Sequence, residues 1–245
     1  MMGGRGSSSA SGRSAAAPAQ QAPDAVSVPT QDVMAGLGGT HTLAEIQAMT
    51  DAEYDAYLDT LDSVDMPNFL ADNDFQRFVY DAGVNDRPQV VDQTTFDALP
   101  GTTMYRTVNS VYDRATDVGM SADQIAAQTM QSSLSRIGNG VYGDGFYFAD
   151  SASASHMYGS RRGDVKRTAV MQAKLSPTAN VVSYSQIMAQ YMRDPSSSKR
   201  GIGSNSGLSM FALRKGYNVI DVGRNGYYNV LDRSALVMSA SINPM

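Results

Sequence analysis

The pattern of apolar and polar positions divides this chain into three stretches. From Met1 to about Thr40, large apolar side chains are almost absent among Gly, Ser, Ala, Pro and Gln. Such a segment buries too little surface to offset chain ordering, which costs about 1–2 kcal/mol per residue, so residues 1–40 are expected to form a disordered, low-complexity arm. Residues 41–90 have a helical period. Thr42 reads as the N-cap of a helix carrying Leu43, Ile46 and Met49, and the stretch 51–61 sets Tyr54, Tyr57, Leu58 and Leu61 on one side. A third helix is predicted over 68–82, with Phe69, Leu70, Phe78 and Val79 inward and Gly83 as its stop. Together they make an acidic helical lead-in whose Tyr/Leu stripe faces a core.

Residues 91–245 mix short strands with helices. Asp92 caps a predicted helix over 92–99, Pro100-Gly101 turns the chain, and Thr102–Val108 is a β-branched and aromatic strand. Ser121 opens a helix with Ile125, Ala126, Met130, Leu134 and Ile137 at helical spacing. Residues 168–175 alternate as a strand, 185–192 predict a helix, and 194–201 read as a mobile loop. Three late strands are expected over 217–221, 227–231 and 235–239, the first two joined by a turn at Gly223–Gly226. The expected class is α+β, with short, largely antiparallel strands and helices at one end and between them. No βαβ rhythm appears and no Gly-x-Gly-x-x-Gly precedes a helix, which excludes a doubly wound dinucleotide fold.

Composition narrows the chemistry. A net charge of −5 argues against a nucleic-acid partner, and the basic clusters Arg161-Arg162 and Lys166-Arg167 read as a solvated loop. There is no cysteine, and the two histidines, His41 and His156, are too few for a zinc site, so no metal is expected. No apolar run approaches a membrane span and the N-terminus has no hydrophobic signal core, so neither a membrane partner nor secretion by signal peptide is expected.

The chemistry is concentrated in Gly143-Asp144-Gly145-Phe146-Tyr147-Phe148-Ala149-Asp150 and the Ser151–Tyr158 segment behind it. The glycines permit positive φ and close backbone approach, so an exposed main-chain N–H and C=O near Gly145 can receive a carboxamide. Tyr147 and Phe148 leave a strand on opposite faces. Ser151 is a good N-cap, and Ser155 and Tyr158, three apart, share a helix face, placing a hydroxyl beside an aromatic wall. A glycine turn, a core strand and a capped helix with nothing bound account for the same residues equally well.

The segment Gly143–Tyr158 resembles the nicotinamide-pocket segment of poly(ADP-ribose) polymerases and diphtheria-type ADP-ribosyltransferases, in which a Gly-x-Gly-x-Tyr-Phe-Ala strand leads to a helix bearing Ser-x-Ser-x-x-Tyr. The resemblance implies an ADP-ribosyltransferase-like split antiparallel β-core over residues 91–245, with NAD as cofactor. It places the carboxamide on Gly145 and Ser155 and the ring between Tyr147 and Tyr158. Met104-Tyr105-Arg106-Thr107 resembles the family's first strand, with Tyr105 and Arg106 beside the NAD ribose and phosphate, as in cholera-toxin-like members. Gly226–Val237 resembles the late strand that carries the catalytic glutamate. Tyr227 stands where that glutamate belongs, and the chain's two glutamates, Glu45 and Glu53, both lie in the helical lead-in. Asp221, one methylene shorter, is the candidate substitute. Losing one aimed group of this kind costs about 10²–10³ in rate.

The order of arm, lead-in and aromatic strand also resembles ADP-ribosyltransferase-like proteins encoded beside head and portal genes of tailed phages. The expectation is therefore a mono-ADP-ribosyltransferase-like protein, phage-borne, in the virion or the host cytoplasm. Its partner would be a protein acceptor, with residues 194–207 as a contact loop. The alternative is a catalytically inactive virion component bound to a capsid or portal protein.

Overall fold

A computed structural model describes residues 41–67, 70–84, 87–109, 111–113, 118–132, 137–159, 168–198, 204–223 and 226–244, with the backbone alone for 111–113, 118–120, 158–159 and 244. The expected N-terminal arm lies outside these residues.

The first two helices of the lead-in form where the sequence predicts them, and Phe69 of the third lies outside the described residues. Helix α1 (Leu43–Ala48) starts at a Thr42/Glu45 capping box, and α2 (Asp51–Thr60) at a Thr50/Glu53 box of the same form. In each, the glutamate carboxylate accepts the N-cap N–H (2.7 and 2.8 Å) and is held below the usual carboxylate range by that bond. Helix α3 (Asp74–Asp81) begins later than predicted because Asn73 accepts the Gln76 N–H at 2.7 Å and so caps it there. Gly83, at φ +60°, ends the segment as expected.

Nine strands form one sheet. They are β1 (Gln89–Val91), β2 (Met104–Asn109), β5 (Phe146–Ala149), β6 (Thr168–Leu175), β7 (Val181–Ser183), β8 (Val219–Asp221), β9 (Tyr227–Val230), β10 (Leu236–Ser239) and β11 (Asn243–Pro244). The order is β1-β10-β6-β2-β5-β9-β8-β7, with β11 beside β6, and β3 (Val111–Asp113) and β4 (Val118–Met120) pair separately. The interior ladders are antiparallel; only the edge pairs β1–β10 and β7–β8 are parallel. The α+β class is therefore as expected, while β1 and β7, three residues each, carry too little alternation to be read from sequence.

The interior ladders differ greatly in strength. Strand β2 meets β6 through six residue pairs, from Met104↔Ala173 to Asn109↔Thr168, and β5 meets β9 through four. Between β2 and β5 a single pair, Tyr105↔Ala149, joins the two halves of the sheet. Beyond that rung the seam is bridged by side chains.

The remaining helices are α4 (Gln93–Ala98), α5 (Ala122–Gln131), α6 (Ala152–Gly159), α7 (Tyr184–Tyr191) and α8 (Asn205–Arg214). Helix α5 stops short of the predicted Ile137. The buried Arg233 guanidinium caps its end by donating to the carbonyls of Thr129 and Ser132 (2.6 Å to Ser132). The largest departure is α8, buried from Ser206 to Arg214 on every side, so that no amphipathic stripe marks it. The predicted loop before it is partly ordered too: Pro195–Ser198 forms a 3-10 turn with Ser196 and Ser197 buried. One apolar core runs from Ile46 through Phe75, Phe78, Met104, Phe148 and Phe211 to Met238, crossing the expected boundary at residue 90. Arg214 fastens the lead-in to α8, pairing with Asp51 at 2.8 Å, donating to Met49 O and lying 4.3 Å over the Tyr54 ring.

Candidate functional site

Register fixes which side chains share a face. Directly paired residues on antiparallel strands point the same way, and neighbours along a strand point oppositely. Tyr105, paired with Ala149, therefore shares one face with Thr107, Tyr147, Tyr227 and Asn229. Arg106, Phe146, Phe148, Tyr228 and Asp221 belong to the other face. Helix α6 covers the first face, because the Ser155 and Thr107 hydroxyls meet at 2.9 Å. Ser155 is buried there. A serine hydroxyl has one donor and two acceptor sites, so the Thr107 bond leaves capacity for a ligand amide.

Tyr147 is anchored at its phenol end. Its hydroxyl donates to Gly143 O and accepts the Tyr142 N–H at 3.1 Å, while its ring lies against Gly140, where a Cβ would overlap it. Burial raises its phenol above the ordinary value, the Tyr142 bond opposes this, and Asp144 adds to it. The ring is thus a fixed wall on the α6 face. Tyr158 lies on α6, but its side chain is outside the described residues, so the expected ring pair is half seen.

The expectation for Gly145 is corrected. Its N–H donates to Gly138 O (3.0 Å) and its C=O accepts from Gly138 N (3.3 Å), so neither group stands exposed for a carboxamide. The glycine is needed for packing instead. A methyl at Gly145 would overlap Asn229 Oδ1 and sit 2.9 Å from Val230 O. Asp144 docks the turn onto α8, with its carboxylate accepting from Ser206, its carbonyl from Ser209 at 2.7 Å, and its N–H donating to Asn205 O at 3.3 Å.

Arg106 stands at the seam, on the face away from Ser155. It donates to Tyr147 O at 3.1 Å and lies 5.6 Å over the Phe146 ring, which Arg233 approaches at 5.3 Å. Burial lowers its pKa to about 10, so it stays charged at neutral pH. It makes the bond to β5 that a backbone rung would otherwise make.

Asp221 is likewise on the wrong face for its expected role. It pairs with Tyr228, not Tyr227, and its carboxylate accepts the Gly223 N–H at 2.8 Å, pinning the turn. Burial, then Asp221, then Asp150 raise the Tyr228 phenol, which locates both carboxylates near that ring. Tyr227 sits opposite Ala149, on the α6 face. Of the expected contact loop 194–207, Ser206 and Gly207 are buried in α8, Pro195 and Ser198 are exposed, and 199–203 lie outside the described residues.

Three contributors went unnoticed in the sequence. Thr107 was one position from the arginine, Asp144 sat between the two glycines, and Asn229 was a polar residue inside an aromatic strand. A buried amide in a strand centre needs partners, and that was the available signal; Asn229 donates to Tyr142 O at 3.2 Å and Asp144 O at 3.4 Å. Among the described residues no helix is long and apolar enough to cross a membrane. No family model, no curated protein and no solved structure matches this chain.

Proposed function

We propose that this protein is an NAD-dependent mono-ADP-ribosyltransferase-like protein of phage origin that modifies a protein acceptor. One observation carries the reading. The three segments that resemble the transferases are the adjacent strands β2, β5 and β9, and the seam between the first two opens after one rung, beside Ser155 and Tyr147. A planar amide ring would lie on the Tyr147 wall under α6, with its amide on the Ser155 hydroxyl. Gly145 contributes by letting β5 close on Asn229. Arg106 holds β5 at the seam from the opposite face.

In the transfer, the bond from the ribose anomeric carbon to nicotinamide breaks with its electron pair going to the ring nitrogen, and an acceptor oxygen bonds to that carbon; a hydroxyl acceptor releases its proton to solvent, whereas a carboxylate acceptor has none to lose. Tyr227 replaces the carboxylate that would steady the positive sugar. The acceptor's own carboxylate would then serve, which limits the product to a single ADP-ribose.

Differential scanning fluorimetry and calorimetry with NAD and with nicotinamide test the pocket apart from turnover. Ligand at a hundredfold its Kd adds about 2.7 kcal/mol of stability, several degrees in Tm, and Ser155→Ala and Tyr147→Ala should abolish the shift. Mass spectrometry after incubation with NAD and host lysate should show one added ADP-ribose. Absence of both heat and shift removes the reading.

A second reading, a virion component without turnover, is favoured by the glutamates. Both are spent as helix caps in α1 and α2. Stoichiometric copurification with assembled particles, with no NAD consumed, would select it.

A further inference from the structure

Asp144 is a carboxylate in an uncommon position. It is 2 % exposed, and no cation among the described residues bears on it. Oδ2 accepts from the Ser206 hydroxyl, whereas Oδ1 has no hydrogen-bond partner. An ionised carboxylate buried without a counter-charge is costly, and one of its oxygens here is also unsolvated and unbonded.

The groups around it are few. Helix α8 presents Asn205, Ser206 and Ser209, and β9 presents Asn229, none of them ionisable. The Gly140 N–H lies near enough to favour the charged form without closing a hydrogen bond to Oδ1, and Tyr147 is the titratable neighbour from β5. From α3 comes Asp74, a like charge that Arg77 meets at 3.5 Å. Burial is the dominant influence and raises the carboxyl above its ordinary value, with Ser206 and Gly140 opposing and Asp74 assisting.

The turn that Asp144 anchors holds both partners of the Tyr147 hydroxyl, Gly143 O and Tyr142 N. We propose that Asp144 is a protonation-controlled positioning residue: its neutral carboxyl keeps the Gly143–Gly145 turn docked on α8, fixing the Tyr147 ring, and its ionisation loosens both. The step is a simple proton loss from the carboxyl to solvent, leaving a carboxylate that seeks water. The inference concerns the wall of the proposed pocket but does not need NAD.

The direction with pH follows from linkage. The folded chain holds this proton more tightly than the unfolded chain does. The stability it contributes is therefore complete below the ordinary aspartate value and is lost as pH rises through the raised one.

Hydrogen exchange of peptides spanning 138–147, from pH 4 to 8 and corrected for the intrinsic chemical rate, reads this directly. Protection should fall severalfold through one midpoint that lies above the ordinary aspartate value, because burial raises this carboxyl. Asp144→Asn should give a flat profile, and Ser206→Ala should move the midpoint upward, because the hydroxyl favours the carboxylate. The carboxyl carbon shift of Asp144 should titrate at that same midpoint. A flat wild-type profile, or equal profiles in wild type and Asp144→Asn, overturns the proposal. Nicotinamide affinity should weaken through the same midpoint. A protein that binds no nicotinamide but shows the exchange step loses the functional reading and keeps this one.

Discussion

The two edges of β5 are built on different principles. Toward β9 the strand is closed by four backbone pairs, with Gly145 pressed on Asn229 so tightly that a methyl has no room. Toward β2 one backbone pair survives; Arg106 bonds across to Tyr147 O, and Thr107 ties β2 to Ser155 of α6. Backbone ladders are hard to part without unfolding a strand, whereas a seam held by one rung and a few side-chain bonds has fewer bonds to break. A sheet that needs an opening for a ligand is therefore best opened at a seam closed by side chains. The contrast places the stronger closure on the β9 side of β5 and the weaker on the β2 side.

Three substitutions probe that contrast, each read as a change in urea-unfolding free energy. Gly145→Ala should be the most damaging, at about 3 kcal/mol, because the new Cβ meets an amide and a main-chain carbonyl that cannot both move. Arg106→Met should cost about 2 kcal/mol, losing a charged hydrogen bond and a ring contact while relieving a buried charge. Its exchange signature should be confined to β2 and β5, and global loosening would mean that the seam is not a separate element. Thr107→Val, nearly isosteric, should cost about 1 kcal/mol by leaving the Ser155 hydroxyl without its partner. If Thr107→Val proves as costly as Gly145→Ala, the distinction between the two edges is wrong.

What the sequence made legible follows from what each signal measures. Caps were read well because they are local: Thr42, Asp92 and Ser121 each begin the helix expected of them. The strands carrying the candidate site were also found, through β-branched and aromatic runs. Helix α8 was missed for a physical reason, since a helix buried on every side has no polar face for periodicity to detect. Ser204 as its N-cap was the remaining clue. Face assignment was the other failure. Asp221 and Arg106 were chosen by type and order, yet their faces depend on pairing register, which the sequence alone does not disclose. The Gly145 main chain was expected to be open because the pairing with Gly138 comes from a segment without strand character.

Fastening of the lead-in by Arg214 has a practical consequence for anyone wishing to express residues 91–245 by themselves. Helices α1 and α3 cover α8, and Gln47 also donates to Leu213 O at 2.9 Å. A truncated gene product starting at residue 91 would uncover that side of α8, strand Arg214 without Asp51, and invite aggregation. The shortest sensible fragment therefore begins before Thr42, with the first capping box intact.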